Sequence, residues 1–245
     1  MELDEYRRMA AAGDRHWWYR STRRLLEDLI RPLLPPITDS TLYLDAGGGS
    51  GATGRWLAAQ APMVLDDFEA MSLQVAMSET AGYRGVRADL NSLPHPDGSF
   101  DVVLCVTALC HKMNPDPAAI VREFARITKP GGLVCLMEPG GKRLWRGHDE
   151  VTHTGRRFSV GELRTMTADA GLRVERATGA YSFLLPPAAV MGVVERRSAA
   201  KSDVGRNESG LGGLLGGVAR VERAVLRRMN LPFGLSAIAI GRKPA

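Results

Sequence analysis

The sequence predicts a doubly wound α/β fold on a mostly parallel sheet. Between Leu42 and Leu136 short β-rich apolar runs alternate with helical stretches, the pattern of repeated βα units. A glycine-rich turn, Asp45-Ala-Gly-Gly-Gly-Ser-Gly51, stands where the first strand meets the first helix of that series. A chain of 245 residues with 44% hydrophobic and 24% charged residues is large enough to bury such a core.

The elements follow in order. Leu3 to Leu34 reads as helix, with the dense cluster His16-Trp17-Trp18-Tyr19-Arg20 in its middle and Pro35-Pro36 at its end. Residues 1–40 therefore read as an N-terminal helical cap and 41–245 as the main domain. Strands are expected at Thr41–Asp45, Pro62–Asp67, Tyr83–Ala88, Phe100–Val106 and Leu133–Met137, with helices at Ala70–Glu79 and Ala118–Ile127; Lys129-Pro-Gly-Gly132 is read as the end of the latter. Ser159 and Glu162 form a capping box for a helix to Ala170, and Gly171 supplies its C-cap. Leu172–Thr178 and Leu235–Ile240 complete seven strands.

Between those last two strands lies an insertion at about 181–230. Tyr181-Ser-Phe-Leu-Leu-Pro-Pro187 and Ala188–Val194 are apolar, Ser198–Gly217 reads as a loop or linker, and a helix follows over Leu214–Met229. That helix places Leu214, Val218, Val221 and Val225 on one face and Arg220, Arg223 and Arg227 on the other. Two readings follow: a peripheral contact with an anionic membrane through about 181–230, or a helix that covers the sheet.

The net charge of +5 is unevenly placed, with residues 195–245 at +6 and the rest at −1. Cys105, Cys110 and Cys135 all lie in apolar runs, without metal or disulfide spacing, which suits small core residues and a reducing cytoplasm. An acidic start (Glu2, Asp4, Glu5) and the lack of any long uncharged apolar run predict neither export nor a membrane span.

At the end of the second predicted strand, Asp66 and Asp67 lie about 20 residues after Asp45, where a carboxylate can accept both hydroxyl protons of a ribose. The apolar positions Leu73 and Ala76 of the next helix favour Asp67, with Asp66 as competitor. Asp89 follows the third strand, placed to accept from an exocyclic amino group or merely to cap a turn, and Leu90 beside it can cover a ring face. Because Gly49 and Gly51 are followed by Thr53-Gly54, the turn lacks the spaced glycines of a dinucleotide dehydrogenase.

Together, Asp45–Gly51, Asp67, Ala88-Asp-Leu90, Ser99-Phe-Asp-Val-Val103 and Lys129-Pro-Gly-Gly132 resemble the class I S-adenosylmethionine-dependent methyltransferases, most closely the type 11 group. The resemblance covers Leu42 to Met137. It implies a Rossmann-like methyltransferase fold of seven strands with the last antiparallel, and S-adenosyl-L-methionine as cofactor, leaving S-adenosyl-L-homocysteine as product. It also implies roles: Asp45 and Gly47 near the methionine part, Gly49 and Gly51 under the ribose and sulfur, Asp67 on the ribose hydroxyls, Asp89 on adenine and Leu90 against the ring. The family usually has Gly-Val or Gly-Ile before the ribose acid and Ser-Pro after it, whereas Leu65-Asp66-Asp67-Phe68-Glu69 stands here.

Methyl transfer needs an aligned nucleophile, and a base only where the acceptor is protonated. His111, just past the fourth strand, is the base candidate, or else a structural hydrogen-bonding residue; relatives often carry Glu-His here, and Cys110 replaces the Glu. Relatives with an N-terminal Trp-Trp element also show a His-rich, then Arg-Arg-aromatic stretch, which assigns His148, His153 and Arg157 to an acceptor wall. Trp17, Trp18 and Tyr19 either cap the cofactor pocket, or contact an apolar acceptor, or dock the N-terminal helix on the sheet. As metal ligands, His148, Asp149 and His153 lack an established spacing, and no metal is assigned.

The reading is therefore a methyltransferase acting on a small-molecule acceptor, a sugar, lipid-linked intermediate or secondary metabolite, with oxygen the favoured atom. A cofactor-binding regulatory or scaffold protein is the alternative. Nucleic acid is not the expected partner: despite a pI of about 9.4, basic residues are not interleaved with aromatics. Monomer and homodimer both remain open.

Overall fold

The computed structural model describes residues 16–79, 82–142, 144–145, 147–188 and 211–245. Its elements are α1 (Trp17–Ile30), β1 (Tyr43–Ala46), α2 (Arg55–Ala58), β2 (Met63–Asp67), α3 (Ala70–Glu79), β3 (Tyr83–Arg87), β4 (Phe100–Val106), α4 (Pro117–Ile127), β5 (Thr128–Pro139), α5 (Gly147–Val151), α6 (Val160–Asp169), β6 (Arg173–Ala180), α7 (Leu211–Leu226) and β7 (Ser236–Arg242). The strands form one seven-stranded sheet in the order β3-β2-β1-β4-β5-β7-β6. The first five run parallel, and β7 lies antiparallel to both β5 and β6.

Successive residues of a strand point to opposite faces, so a sheet covered on both sides needs apolar residues at nearly every position. β1, β4 and β5 meet that demand. Tyr43, Val102, Leu104, Leu133, Cys135 and Met137 enter one core with α1, α2, α3 and α7. Leu44, Val103, Cys105, Val134 and Leu136 enter the other with Ile120 and Phe124 of α4 and Leu163 of α6. The three cysteines are buried free thiols.

Local chemistry fixes the ends. Ser159 accepts from the Glu162 backbone N–H, and Glu162 accepts in return from the Ser159 backbone N–H, completing the expected capping box. Gly171 follows α6 at φ 80°. Asp101 of β4 accepts from Leu42 N (2.8 Å) and Lys129 Nζ (2.7 Å), tying the starts of three neighbouring strands together.

Two expectations are corrected. Lys129-Pro-Gly-Gly132 is not a helix end: β5 begins at Thr128, and these residues make an irregular start whose register against β4 slips between Phe100 and Val102. Leu211–Gly217 is not loop but the first two turns of α7. Its glycines each cost about 1 kcal/mol in a helix, and the docking of Leu215 and Ala219 on the core offsets that. Residues 3–15 of the expected N-terminal helix and 198–210 of the expected loop lie outside the described residues. Among the described residues no helix is long and apolar enough to cross a membrane.

Candidate functional site

At the carboxyl ends of β1, β2 and β4 opens a cavity of about 860 Å³, within the range of small-molecule sites and toward its upper end. The turn after β1 is its floor. Gly47 and Gly48 both donate their N–H to the Asp66 carbonyl of β2 (2.8 and 3.2 Å), bending the chain under the cavity. Gly47 (φ 67°) and Gly49 (φ 56°) adopt backbone that other residues avoid. A Cβ on Gly47 would come within 2.6 Å of the Ala108 side chain, whereas one on Gly49 would meet nothing within 4 Å and would simply fill cavity. Gly51 is not among the residues that line the cavity; it lies beneath the turn, where a Cβ would meet the Tyr83 ring at 2.6 Å.

The carboxylates are held by burial and backbone. Asp45 is fully buried, accepts from the Tyr83 hydroxyl at 3.0 Å, and is pushed up to about 7 mainly by desolvation, with Tyr83 opposing. Asp67 accepts from Gly49 N and Glu69 N, both at 2.9 Å, and burial raises it despite those bonds. Asp67 lines the cavity, while Asp66 points away and pairs with His95 at 2.7 Å, which separates the two competing acids. Asp89 sits at the rim, accepting from the backbone and side-chain nitrogens of Asn91 (2.9 and 2.7 Å), so it does cap a turn and faces the cavity as well. Leu90 is buried in the same wall.

The opposite wall is built by the segment after β4. Thr107 takes the left-handed conformation at φ 54°, and His111 follows at the cavity edge. Burial lowers the His111 pKa; the carbonyls of Thr152 and His153 against its ring partly offset that. The segment rests on Glu138 at the end of β5, which the sequence reading missed. Its Oε1 accepts from Ala108 N (3.1 Å) and Leu109 N (2.9 Å), and its Oε2 from Cys110 N (3.1 Å). Burial pushes Glu138 up to about 7. A lone acid closing an apolar strand at the binding edge of a parallel sheet was the available signal.

Residues assigned to the acceptor wall divide. Trp17, Trp18, His153 and Arg157 all line the cavity, and the side chain of His148 lies outside the described residues. Trp17 is also a core residue, edge-on to Tyr181 at 6.1 Å, so it docks the N-terminal helix as well as lining the cavity. Arg157 is committed to structure: its guanidinium is bidentate to Asp149 (2.9–3.2 Å) and donates to the Gly140 carbonyl at 2.8 Å, all buried. Cys110 O accepts from Gly155 N (2.7 Å), and His153 O accepts from Lys112 N (3.1 Å), stitching the two acceptor-side loops together. Among the described residues no three His, Cys, Asp or Glu side chains gather to hold a metal ion.

Residues 44–136 match the family model of a methyltransferase domain. The chain is 27% identical over 182 residues to 27-O-demethylrifamycin SV methyltransferase of Amycolatopsis mediterranei, covering 68% of this chain and 65% of that one. It is 32% identical over 156 residues to ubiquinone biosynthesis O-methyltransferase of Thiobacillus denitrificans, covering 56% and 66%. The chain thus spans just under two thirds of the length of these curated relatives. Two solved structures share the fold. One is a Haloferax volcanii methyltransferase in complex with the Trm112 methyltransferase activator (TM-score 0.64, 23% identity, 99% of this chain and 95% of that one). The other is the YcgJ protein of Bacillus subtilis (TM-score 0.59, 20% identity, 91% and 99%).

Proposed function

We propose, for a chain that belongs to the class I S-adenosylmethionine-dependent methyltransferases, that it binds S-adenosylmethionine over the Gly47–Gly49 turn and methylates a small-molecule acceptor. The observation that carries this is the convergence on one cavity of an open glycine turn, a buried Asp45 and an Asp67 whose oxygens keep lone pairs for further donors. Asp45 receives the cofactor's ammonium group, Asp67 the ribose hydroxyls, Asp89 the adenine amino group, and Leu90 packs on the ring. Gly51 acts indirectly, by letting the turn close on Tyr83.

When bound, S-adenosylmethionine supplies an electrophilic methyl carbon on a cationic sulfur, which leaves with the bond's electron pair as the neutral thioether of S-adenosylhomocysteine. The protein's part is mostly alignment in a cavity large enough for both molecules. A neutral His111 that donates one N–H to the Thr152 or His153 carbonyl keeps its second nitrogen to take the proton of a hydroxyl acceptor. Oxygen as the methylated atom is supported by the names of the two curated relatives, and a small molecule by the size of the cavity. The cavity's lining draws on both the N-terminal cap, through Trp17 and Trp18, and the insertion, through Leu184 and Leu215.

The test is calorimetric titration with S-adenosylmethionine and S-adenosylhomocysteine. The parent binds both, and Asp67→Ala weakens binding by roughly 10- to 100-fold, the loss of charge-assisted hydrogen bonds. A parent that binds neither sinks the reading.

A further inference from the structure

α7 turns the wrong face outward for a helix that merely covers a sheet. Its inward contacts are made by Leu215, Ala219 and Leu226, while Glu222 accepts from the N–H groups of Tyr181 and Ser182 and Arg223 pairs with Asp28 of α1 at 2.6 Å. Leu214, Val218, Val221 and Val225 recur at helical spacing on another face, and that face is open to solvent: Val221 is 66% exposed and Leu214 65%. Past the helix end, Met229 (55% exposed) and Phe233 (60%) are open to solvent as well. From Leu214 to Val225 the stripe runs about 16 Å. A contiguous apolar surface rimmed by polar groups marks an interaction site more often than an isolated exposed leucine does.

Among the described residues of α1 and α7, the charged groups left without an ion pair or a hydrogen bond are all positive. Arg220 of α7 and Arg228, two residues past its end, are exposed and make no ion pair among the described residues; Arg20 and Arg24 of α1, against which α7 packs, are likewise exposed and unpaired there. The acids on these two helices are already used, Glu222 internally, Asp28 by Arg223 and Arg227, and Glu27 by Arg31. An apolar stripe with surplus arginines complements a surface that is apolar within and anionic at its boundary. The inward face of the same helix reaches the cavity: Leu215 lines it together with Leu184, Pro187 and Ala188.

We propose that the exposed face of α7 docks on an anionic lipid surface, and that the cavity draws from that surface a lipophilic acceptor. The acceptor's nucleophilic group enters toward His111 while its apolar part stays against Leu184, Pro187 and Leu215. The acceptor half of this inference rests on the methyltransferase reading above; the docking half does not.

Flotation of the full chain with vesicles of equal parts phosphatidylglycerol and phosphatidylcholine, and with phosphatidylcholine alone, tests it. The parent floats with the anionic vesicles and is released from them by added salt. Val221→Asp lowers partitioning roughly tenfold, and the Arg220→Glu, Arg228→Glu double variant also lowers it; both keep the parent's circular dichroism and its S-adenosylmethionine affinity, since none of these side chains touches the cavity. A parent that stays unbound with anionic vesicles overturns the inference, as does a Val221→Asp variant that floats like the parent. Sedimentation showing a parent dimer that Val221→Asp dissolves would also overturn it, by assigning the face to a second copy. A parent that floats yet binds no S-adenosylmethionine supports docking and removes the methyltransferase reading; one that binds the cofactor without floating does the reverse.

Discussion

Cofactor binding should depend on pH through Asp45. Its carboxyl is fully buried and titrates at about 7, because desolvation outweighs the single hydrogen bond from Tyr83. A cationic ammonium group delivered by the cofactor favours the ionised form, so binding draws a proton off Asp45 and affinity follows the ionised fraction. With a pKa near 7 that fraction is about one part in a hundred at pH 5 and about one in ten at pH 6, so affinity rises roughly tenfold over that unit, or ~1.4 kcal/mol. Below pH 7 the ammonium itself stays charged and does not oppose the trend. Calorimetry across this range, repeated in buffers of different ionisation enthalpy, reads both the slope and about half a proton released per cofactor bound at pH 7. Asp45→Asn binds more weakly and flattens the slope. Asp67, also raised by burial, adds in the same direction, so the Asn variant isolates the Asp45 share. A parent affinity that is flat from pH 5 to pH 7, or an Asn variant with the parent's slope, refutes the reasoning.

Three further outcomes follow from the same geometry. Gly51→Ala forces a left-handed alanine into the Tyr83 ring and should lose at least ~2 kcal/mol in urea denaturation, whereas Gly49→Ala, with open space around it, carries only the ~1 kcal/mol backbone cost and instead impairs cofactor binding. Asp149→Asn leaves the Arg157 cation buried without its counter-ion and should cost ~3–5 kcal/mol by the same assay; unchanged stability would return Arg157 to the acceptor wall. Glu138 loses its proton near 4.5 when unfolded and near 7 when folded, so between these values the folded state holds more protons and stability falls as pH rises, by up to ~3 kcal/mol. Asp45, also raised to about 7, adds to the same trend, so thermal midpoints of the apo protein should decline from about pH 5 to about pH 7 and Glu138→Gln should remove only the Glu138 share; His111, shifted downward, opposes the trend below its ordinary 6.5.

Much of the fold is legible in the sequence because strand ends and caps are written locally. Phe100–Val106 and Ala70–Glu79 fall on the predicted residues, and the Ser159–Glu162 box is read from spacing alone. The glycine turn and the cavity-facing Asp67 are legible for a similar reason: a backbone that bends under a cavity needs glycine at fixed places, and an acid ending the next strand reaches the same edge of the sheet. What is not legible depends on partners distant in the chain. Arg157 looks like an acceptor residue until Asp149 and Gly140 are seen to take its guanidinium. The glycines of α7 look like a linker until Leu215 is seen docked on the core, and the sequence leaves open which way the helix's apolar face points until that docking turns it outward.

On the acceptor side the carboxylate that orients the Ala108–Cys110 turn comes from a distant strand. Where relatives often have Glu-His, this chain has Cys110-His111, and the acid beside the histidine is missing from the sequence. In space a carboxylate still stands behind that turn, supplied by Glu138 of β5, which collects the N–H groups of Ala108, Leu109 and Cys110. Three converging donors orient the turn more firmly than one side-chain pair does, and they leave the His111 imidazole to be set by burial and by the Thr152 and His153 carbonyls. A histidine held neutral in this way suits an acceptor hydroxyl that must give up its proton as the methyl arrives, and it offers little to an acceptor that carries no proton. If the acceptor atom is oxygen, His111→Ala therefore lowers kcat and leaves S-adenosylmethionine affinity intact; if a His111→Ala enzyme turns over at the parent rate, the proton leaves by another route and the histidine only shapes the wall.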